Sequence, residues 1–283
     1  MIRPIVNRSY TCIKESIRNT NILNPVLKTL KNKTYIVTGG HYGIGYNIAS
    51  SIASYGGNVV ILDTFTQKDQ EYQNCIYTAA EEITEITQKP NCIAIDCDTT
   101  HKNHIEYALH ETIDVFGSID GIILNASSSK LYNTMNISES NVNDMTNTNI
   151  KANFLLGQRF IKYAQERGGH IIAISPPLSI LDTQDSWIPH FYYTMSMMNV
   201  TMMLKTWNAE FPNISVNSIW PKEYFYSPNR SYLYGFNKNN LFNKNRQCIT
   251  TGEAVKHLLC ADTGLCNGNH FTDESILIGL NQI

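Results

Sequence analysis

The chain has 283 residues of which 42% are hydrophobic, enough to bury one large α/β core, and no Gly-, Ser- or Pro-rich linker divides it. Its 22 basic and 24 acidic residues leave a formal charge of −2. That balance argues against a nucleic-acid partner, and no apolar run reaches the roughly 18 to 20 residues that would span a bilayer.

Residues 1–33 differ from the rest: Arg3, Arg8, Lys14, Arg18, Lys28, Lys31 and Lys33 face a single acid, Glu15, among Ser, Thr and Asn. This is the composition of a mitochondrial transit peptide, with a disordered arm or a short capping helix as the alternative. From residue 34 to 283 the chain reads as one domain in which short apolar runs alternate with longer amphipathic ones, the signature of βαβ units. Strands are expected at 35–37, 59–62, 92–95, 121–124, 170–174, 215–219 and 275–278. Helices are expected at 44–55, 72–87, 102–116, 142–165 and 192–210. Together they predict an α/β fold, a single Rossmann-type doubly wound parallel sheet of about seven strands flanked by helices. The aromatic, Asn-rich stretch 221–247 reads as a loop or lid over the carboxyl ends of the strands, where open α/β sheets place their ligands. The 7 cysteines are odd in number and lack C-x-x-C spacing. Cys75, Cys92, Cys97 and Cys260 lie in or beside apolar segments, as reduced thiols do.

The first strand runs into Thr38-Gly39-Gly40-His41-Tyr42-Gly43-Ile44-Gly45, which opens a helix. Gly39 permits the tight turn, Gly43 lets backbone approach a pyrophosphate, and Gly45 allows close helix packing. Such a glycine pattern is weak alone, but Asp63 closes the second strand about 20 residues on, where a carboxylate accepts hydrogen bonds from an adenosine ribose. Asp63 is then expected to repel a 2′-phosphate. His41 and Tyr42 stand where a phosphate-binding turn would carry Arg or Lys, so NAD is expected over NADP.

These features, with Asp96 ending the third strand, Asn125-Ala126-Ser127 ending the fourth, Asn149 and Tyr193, occur in the order and approximate spacing of the short-chain dehydrogenase/reductase family, which the chain resembles over nearly all of 34–277. Further segments, among them Ile76 to Ile83, Ile174 to Leu178, Trp220-Pro221-Lys222 and Phe271 to Glu274, look like its hydroxysteroid dehydrogenase-like protein 2 branch. The chain ends before the place where some members of that branch append a sterol-carrier domain, so lipid handling through such a domain is not expected. The resemblance implies a cofactor site of Gly39, His41, Tyr42, Gly43, Ile44, Gly45, Asp63, Asp96, Asn125 and Pro221, and a carbonyl or alcohol substrate. It also implies a homo-oligomer, or a place in a larger assembly, built on the helices at 142–165 and 192–210 with their stripe of Met195, Met197, Met198, Met202 and Met203.

The catalytic set implied by the resemblance is incomplete. In the family a tyrosine exchanges the proton with the substrate oxygen, a lysine four residues on holds the ribose and activates that tyrosine, a serine orients the carbonyl and an asparagine anchors a water relay. Tyr193 and Asn149 keep their places, but Pro176 falls where the serine belongs, leaving Ser175 or Ser179 as neighbours, and Met197 replaces the lysine. A methionine fills the volume without donor or charge. Only Lys222, after the next strand, could lean into the site. His101, His104 and His110 lack the further ligand that a metal site needs, and read as a solvated helix face. Two readings follow: a protein that keeps the fold and the dinucleotide with little or no catalysis, or an oxidoreductase with an atypical catalytic set.

Overall fold

The computed structural model describes residues 29–68, 74–175, 190–221, 244–261 and 266–279, the side chains of 244–249 excepted. Seven strands, β1 (Thr34–Thr38), β2 (Asn58–Asp63), β3 (Cys92–Asp96), β4 (Gly121–Leu124), β5 (Gly169–Ile174), β6 (Ile214–Trp220) and β7 (His270–Thr272), form one sheet in the order β3-β2-β1-β4-β5-β6-β7. Every neighbouring pair is parallel, so each crossover runs over a face of the sheet and both faces are covered. The expected doubly wound sheet is the one observed.

Side-chain alternation along each strand sorts the core into two layers. Tyr35, Val37, Val59, Ile61, Ile123 and Ile172 meet helices α1 (Gly43–Ser54), α2 (Ile76–Thr87) and the chain around Ala254 to Leu259. Ile36, Val60, Leu62, Ile122, Ile171 and Val216 meet α3 (Lys102–Phe116) and, further along, α5 (Asn153–Ala164) and α6 (Phe191–Glu210). The last two helices approach closely at Gly157, where an added Cβ would lie 2.2 Å from the Trp207 ring.

Three expectations are corrected. The last apolar run, 275–278, is not a strand but part of helix α8 (Asp273–Gly279), and the edge strand is β7 just before it. A short apolar run fits either element. Here the Thr272 hydroxyl accepts the Ser275 N–H at 3.1 Å and Asp273 and Glu274 occupy the first turn, which starts a helix. The stretch 221–247 is not wholly a loop, since its last residues open helix α7 (Lys244–Cys260); residues 222–243 lie outside the described chain. The single helix expected over 142–165 is α4 (Glu139–Met145), a π-helical turn (Thr146–Ala152) and α5. Thr146-Asn147-Thr148-Asn149-Ile150 is poor in strong helix formers, so the ladder can widen there.

At the amino end the chain joins the core ahead of residue 34. Leu30 is buried, and Lys33 Nζ lies 2.7 Å from Asp120 Oδ1. Residues 1–28 lie outside the described chain.

Candidate active site

The glycine turn after β1 needs glycine for two separate reasons. Gly39 and Gly43 sit at φ +67° and +61°, a region that costs other residues a Cβ clash. Gly45 instead faces a close approach: a Cβ there would lie 2.1 Å from the Gly39 carbonyl oxygen and 2.6 Å from Asn125 Nδ2. The turn delivers the chain to α1 with Tyr42 at the N-cap, no side-chain cap bond and no acid in the first turn. The first N–H groups of α1 therefore have no acceptor from a capping side chain, and that end of the helix suits an anionic group. Ile44 packs half-buried on the core below it, and Tyr42 stands exposed.

Asn125 braces this turn. Its Nδ2 donates to the carbonyls of Thr38 and Gly39 at 3.0 and 3.1 Å, while its own N–H and that of Ala126 donate to the Thr38 hydroxyl, each at 3.0 Å. Its amide nitrogen is thus committed to backbone. Asp63 and Asp96 end adjacent strands in register, so both carboxylates stand at the carboxyl edge beside the turn. Asp96 is exposed, whereas Asp63 is largely enclosed and bonded to His41 Nδ1 at 2.8 Å and to the Thr64 N–H at 2.8 Å. Two further residues belong here: Phe65, stacked on His41 with ring centroids 4.5 Å apart, and Asn74, whose Nδ2 donates to the His41 carbonyl at 3.2 Å. Neither belongs to a motif, and nothing in the sequence pointed to them, since Phe65 lies two residues past Asp63 in an ordinary strand-end turn. Beneath them, burial first and then the nearby Asp98, Asp96 and Asp63 push the Cys97 thiol up to about 12, so it stays protonated.

Asn149 lies in the π-helical turn and is fully buried. Its Oδ1 accepts the Ser128 N–H at 2.7 Å, and its Nδ2 donates to the Ser128 carbonyl at 2.9 Å and to the Ser196 hydroxyl at 2.8 Å. Ser196 Oγ in turn donates to the Tyr193 carbonyl at 2.8 Å. One amide thus ties the loop after β4 to the first turn of α6. Next door, the Tyr192 hydroxyl lies 2.7 Å from Thr146 Oγ1.

Tyr193 and Met197, one helical turn apart and on one face, pack with Met145 into a small apolar cluster bordered by Leu131, Ile137 and Trp220. Met197 is 7% exposed. The position that the resemblance assigns to a cation is filled by a buried thioether. At the head of the helix, burial holds the His190 imidazole below its ordinary value against a hydrogen bond with the Tyr132 backbone.

Ser175 stands apart from this group. It is 2% exposed, and its hydroxyl lies 3.1 Å from Thr201 Oγ1. Thr201 is eight residues beyond Tyr193 on α6, about 12 Å along the axis. Pro221 follows β6, half-buried at the same edge of the sheet. Pro176, Ser179 and Lys222 lie outside the described residues. The His101 ring sits on Asp98, with Nδ1 and Oδ2 3.0 Å apart, and beside His104; among the described residues no three potential ligands gather to hold a metal ion.

The sequence model of the family described as short chain dehydrogenase matches residues 33–227. Curated relatives include hydroxysteroid dehydrogenase-like protein 2 of Mus musculus, 30% identical over 249 residues that cover 86% of this chain and 49% of the relative. The Homo sapiens protein of the same name is 34% identical over 194 residues, covering 67% of this chain and 45% of the relative. The chain thus spans about half the length of these relatives. A short chain dehydrogenase from Mycobacterium thermoresistibile shares the fold with a TM-score of 0.77 at 24% identity, covering 88% of this chain and 87% of that one. A 7α-hydroxysteroid dehydrogenase complexed with NADH and 7-oxo glycochenodeoxycholic acid does so with 0.68 at 20% identity, covering 86% and 94%.

Proposed function

Because the chain belongs to the short-chain dehydrogenase/reductase family, in the branch of hydroxysteroid dehydrogenase-like protein 2, we propose that it keeps that family's dinucleotide site while having lost most of its proton-transfer capacity, and acts as a dinucleotide-binding structural or regulatory subunit. Members of the family bind a nicotinamide dinucleotide, which supplies hydride chemistry when bound. The residues present fit such a group. The first-turn N–H groups of α1 would face the pyrophosphate, Asp63 the adenosine ribose and Asp96 the adenine. NAD(H) is preferred over NADP(H), since the glycine turn carries no Arg or Lys and the second strand ends in a carboxylate.

The observation that carries the loss of activity is Met197. A buried methionine offers no ammonium to stabilise the phenolate of Tyr193 and no donor to the nicotinamide ribose. Ser175, spent on Thr201, is out of place to orient a carbonyl. Little preorganised charge is left where it would develop during reaction. The alternative, an active oxidoreductase on a carbonyl or alcohol substrate, draws support from the fully satisfied Asn149 network, which holds the first turn of α6 and Tyr193 in place.

Calorimetry with NADH and NADPH tests this reading, with measurable NADH binding and weaker NADPH binding as the expected result. A chain that binds neither retains the fold alone. We also propose, from the basic, acid-poor composition of residues 1–33, that this segment directs import into mitochondria; a fluorescent reporter fused to it should enter them, and diffuse cytosolic fluorescence would refute the assignment.

A further inference from the structure

The selectivity assigned to Asp63 depends on where its carboxylate is allowed to point. That carboxylate is held from two sides, by His41 on Oδ2 and by the Thr64 N–H on Oδ1, each at 2.8 Å. An ionised carboxylate only accepts, so Nδ1 of His41 carries the proton in their bond. The imidazole is itself fixed. It is 8% exposed, stacks on Phe65 with 18° between the planes, and its backbone carbonyl receives Asn74 Nδ2. Phe65 is secured in turn, its carbonyl accepting the Ile76 N–H at 3.0 Å where α2 begins.

We infer that His41 is a positioning residue for cofactor selection, locking the Asp63 carboxylate so that a 2′-phosphate meets a negative charge that does not turn away. An untethered aspartate escapes such repulsion by moving to another staggered rotamer, at less cost than sustaining two like charges in contact. The lock removes that escape and leaves the remaining lone pairs of the carboxylate to ribose hydroxyls. Phe65 serves the same end by holding the ring. The inference rests on the proposed preference for NAD(H), and it assigns that preference to a histidine in the glycine turn as much as to the aspartate.

The test compares dissociation constants for NADH and NADPH, at mildly alkaline pH where the 2′-phosphate is fully charged, for the native chain, His41→Ala, His41→Asn, Phe65→Ala and Asp63→Asn. His41→Ala should narrow the NADH preference by on the order of tenfold, mainly through tighter NADPH binding. His41→Asn, which keeps a donor, should retain most of the preference. Phe65→Ala should narrow it partly, and it keeps the test alive if His41→Ala does not fold. Asp63→Asn should remove the preference, and adding His41→Ala to it should change nothing further. A merely structural role for His41 would lower the melting temperature and leave the ratio alone. An unchanged ratio in His41→Ala and Phe65→Ala, with the native chain still preferring NADH, overturns the lock and spares the proposed preference. A native chain that prefers NADPH, or binds neither, overturns both.

Discussion

Asn149 shows how far one side chain can be committed. Its amide satisfies the N–H and carbonyl of Ser128 and the hydroxyl of Ser196, in a site with no exposure. Asn149→Ala should therefore leave the half-buried N–H and carbonyl of Ser128 without this partner and take the Asn149 donor from the Ser196 hydroxyl, destabilising the fold by roughly 1 to 3 kcal/mol, measured as a lowered urea midpoint; a change within about 0.5 kcal/mol would mean that water replaces the amide. Residues whose identity answers a backbone demand were legible in the sequence. Gly39 and Gly45 are there because a positive φ and a 2.1 Å approach admit nothing else. Met197 was legible too, since the resemblance to the family assigns a lysine to the position four residues after Tyr193. The direction of Ser175 was not, because it depends on Thr201, 26 residues away, and the hold of His41 on Asp63 depends on two strand ends meeting.

At the level of elements, strands and helices with strong periodicity declared themselves, and the misread ones are those in which tertiary contacts override local pattern. Helix α7 carries Gly252 and two threonines, which depress its propensity, although Ala254, Val255, Leu258 and Leu259 recur with helical spacing. Gly252 explains the choice. A Cβ there would lie 2.6 Å from the Asn47 carbonyl oxygen and 2.7 Å from Ser51 Oγ, so the glycine lets α7 lie against α1, the helix whose N-terminus faces the pyrophosphate in the proposed site. Gly252→Val should push the two helices apart, cost about 1 to 3 kcal/mol and weaken NADH binding together with stability. Thermal unfolding with and without NADH measures both, and unchanged values would show that the helices yield without strain. The π-helical turn was illegible for a related reason, since its widening is fixed by what Asn149 must reach.

For the whole molecule, acid should act through two imidazoles, the buried His170 and the half-buried His270. Burial pushes His170 down to about 4, with Asp120 opposing and Lys33 adding, and burial together with Lys205 does the same for His270. Both are neutral in the fold, whereas the unfolded chain takes up their protons near the ordinary value of about 6.5. Stability is therefore complete above that value and falls as pH drops from about 6.5 to about 4, where these groups stop contributing further loss. For His170 the gap corresponds to about 3 kcal/mol. Urea unfolding at neutral pH and near pH 4.5 should show the loss, and His170→Gln should flatten the profile; a flat native profile would contradict it. Phe154 on α5 and Phe191 and Met202 on α6 are 42, 60 and 52% exposed, and by helical spacing Phe191 and Met202 share one face of α6, while Met197 is already spent inside the chain. We propose that this face pairs with another copy, so sedimentation at micromolar concentration should show a dimer or larger species, and a clean monomer would leave the face to a different partner or to solvent.

The most direct test of a kept dinucleotide site with lost proton transfer is the steady-state oxidation of NADH by a panel of small aldehydes and ketones, native chain against Met197→Lys, at saturating cofactor. The native chain should turn over at or near background, and the lysine variant should gain at least tenfold, an ammonium within about 4 to 6 Å being able to favour a phenolate by roughly that factor or more. Native turnover at ordinary enzyme rates, abolished by Tyr193→Phe and not improved by Met197→Lys, would contradict the account.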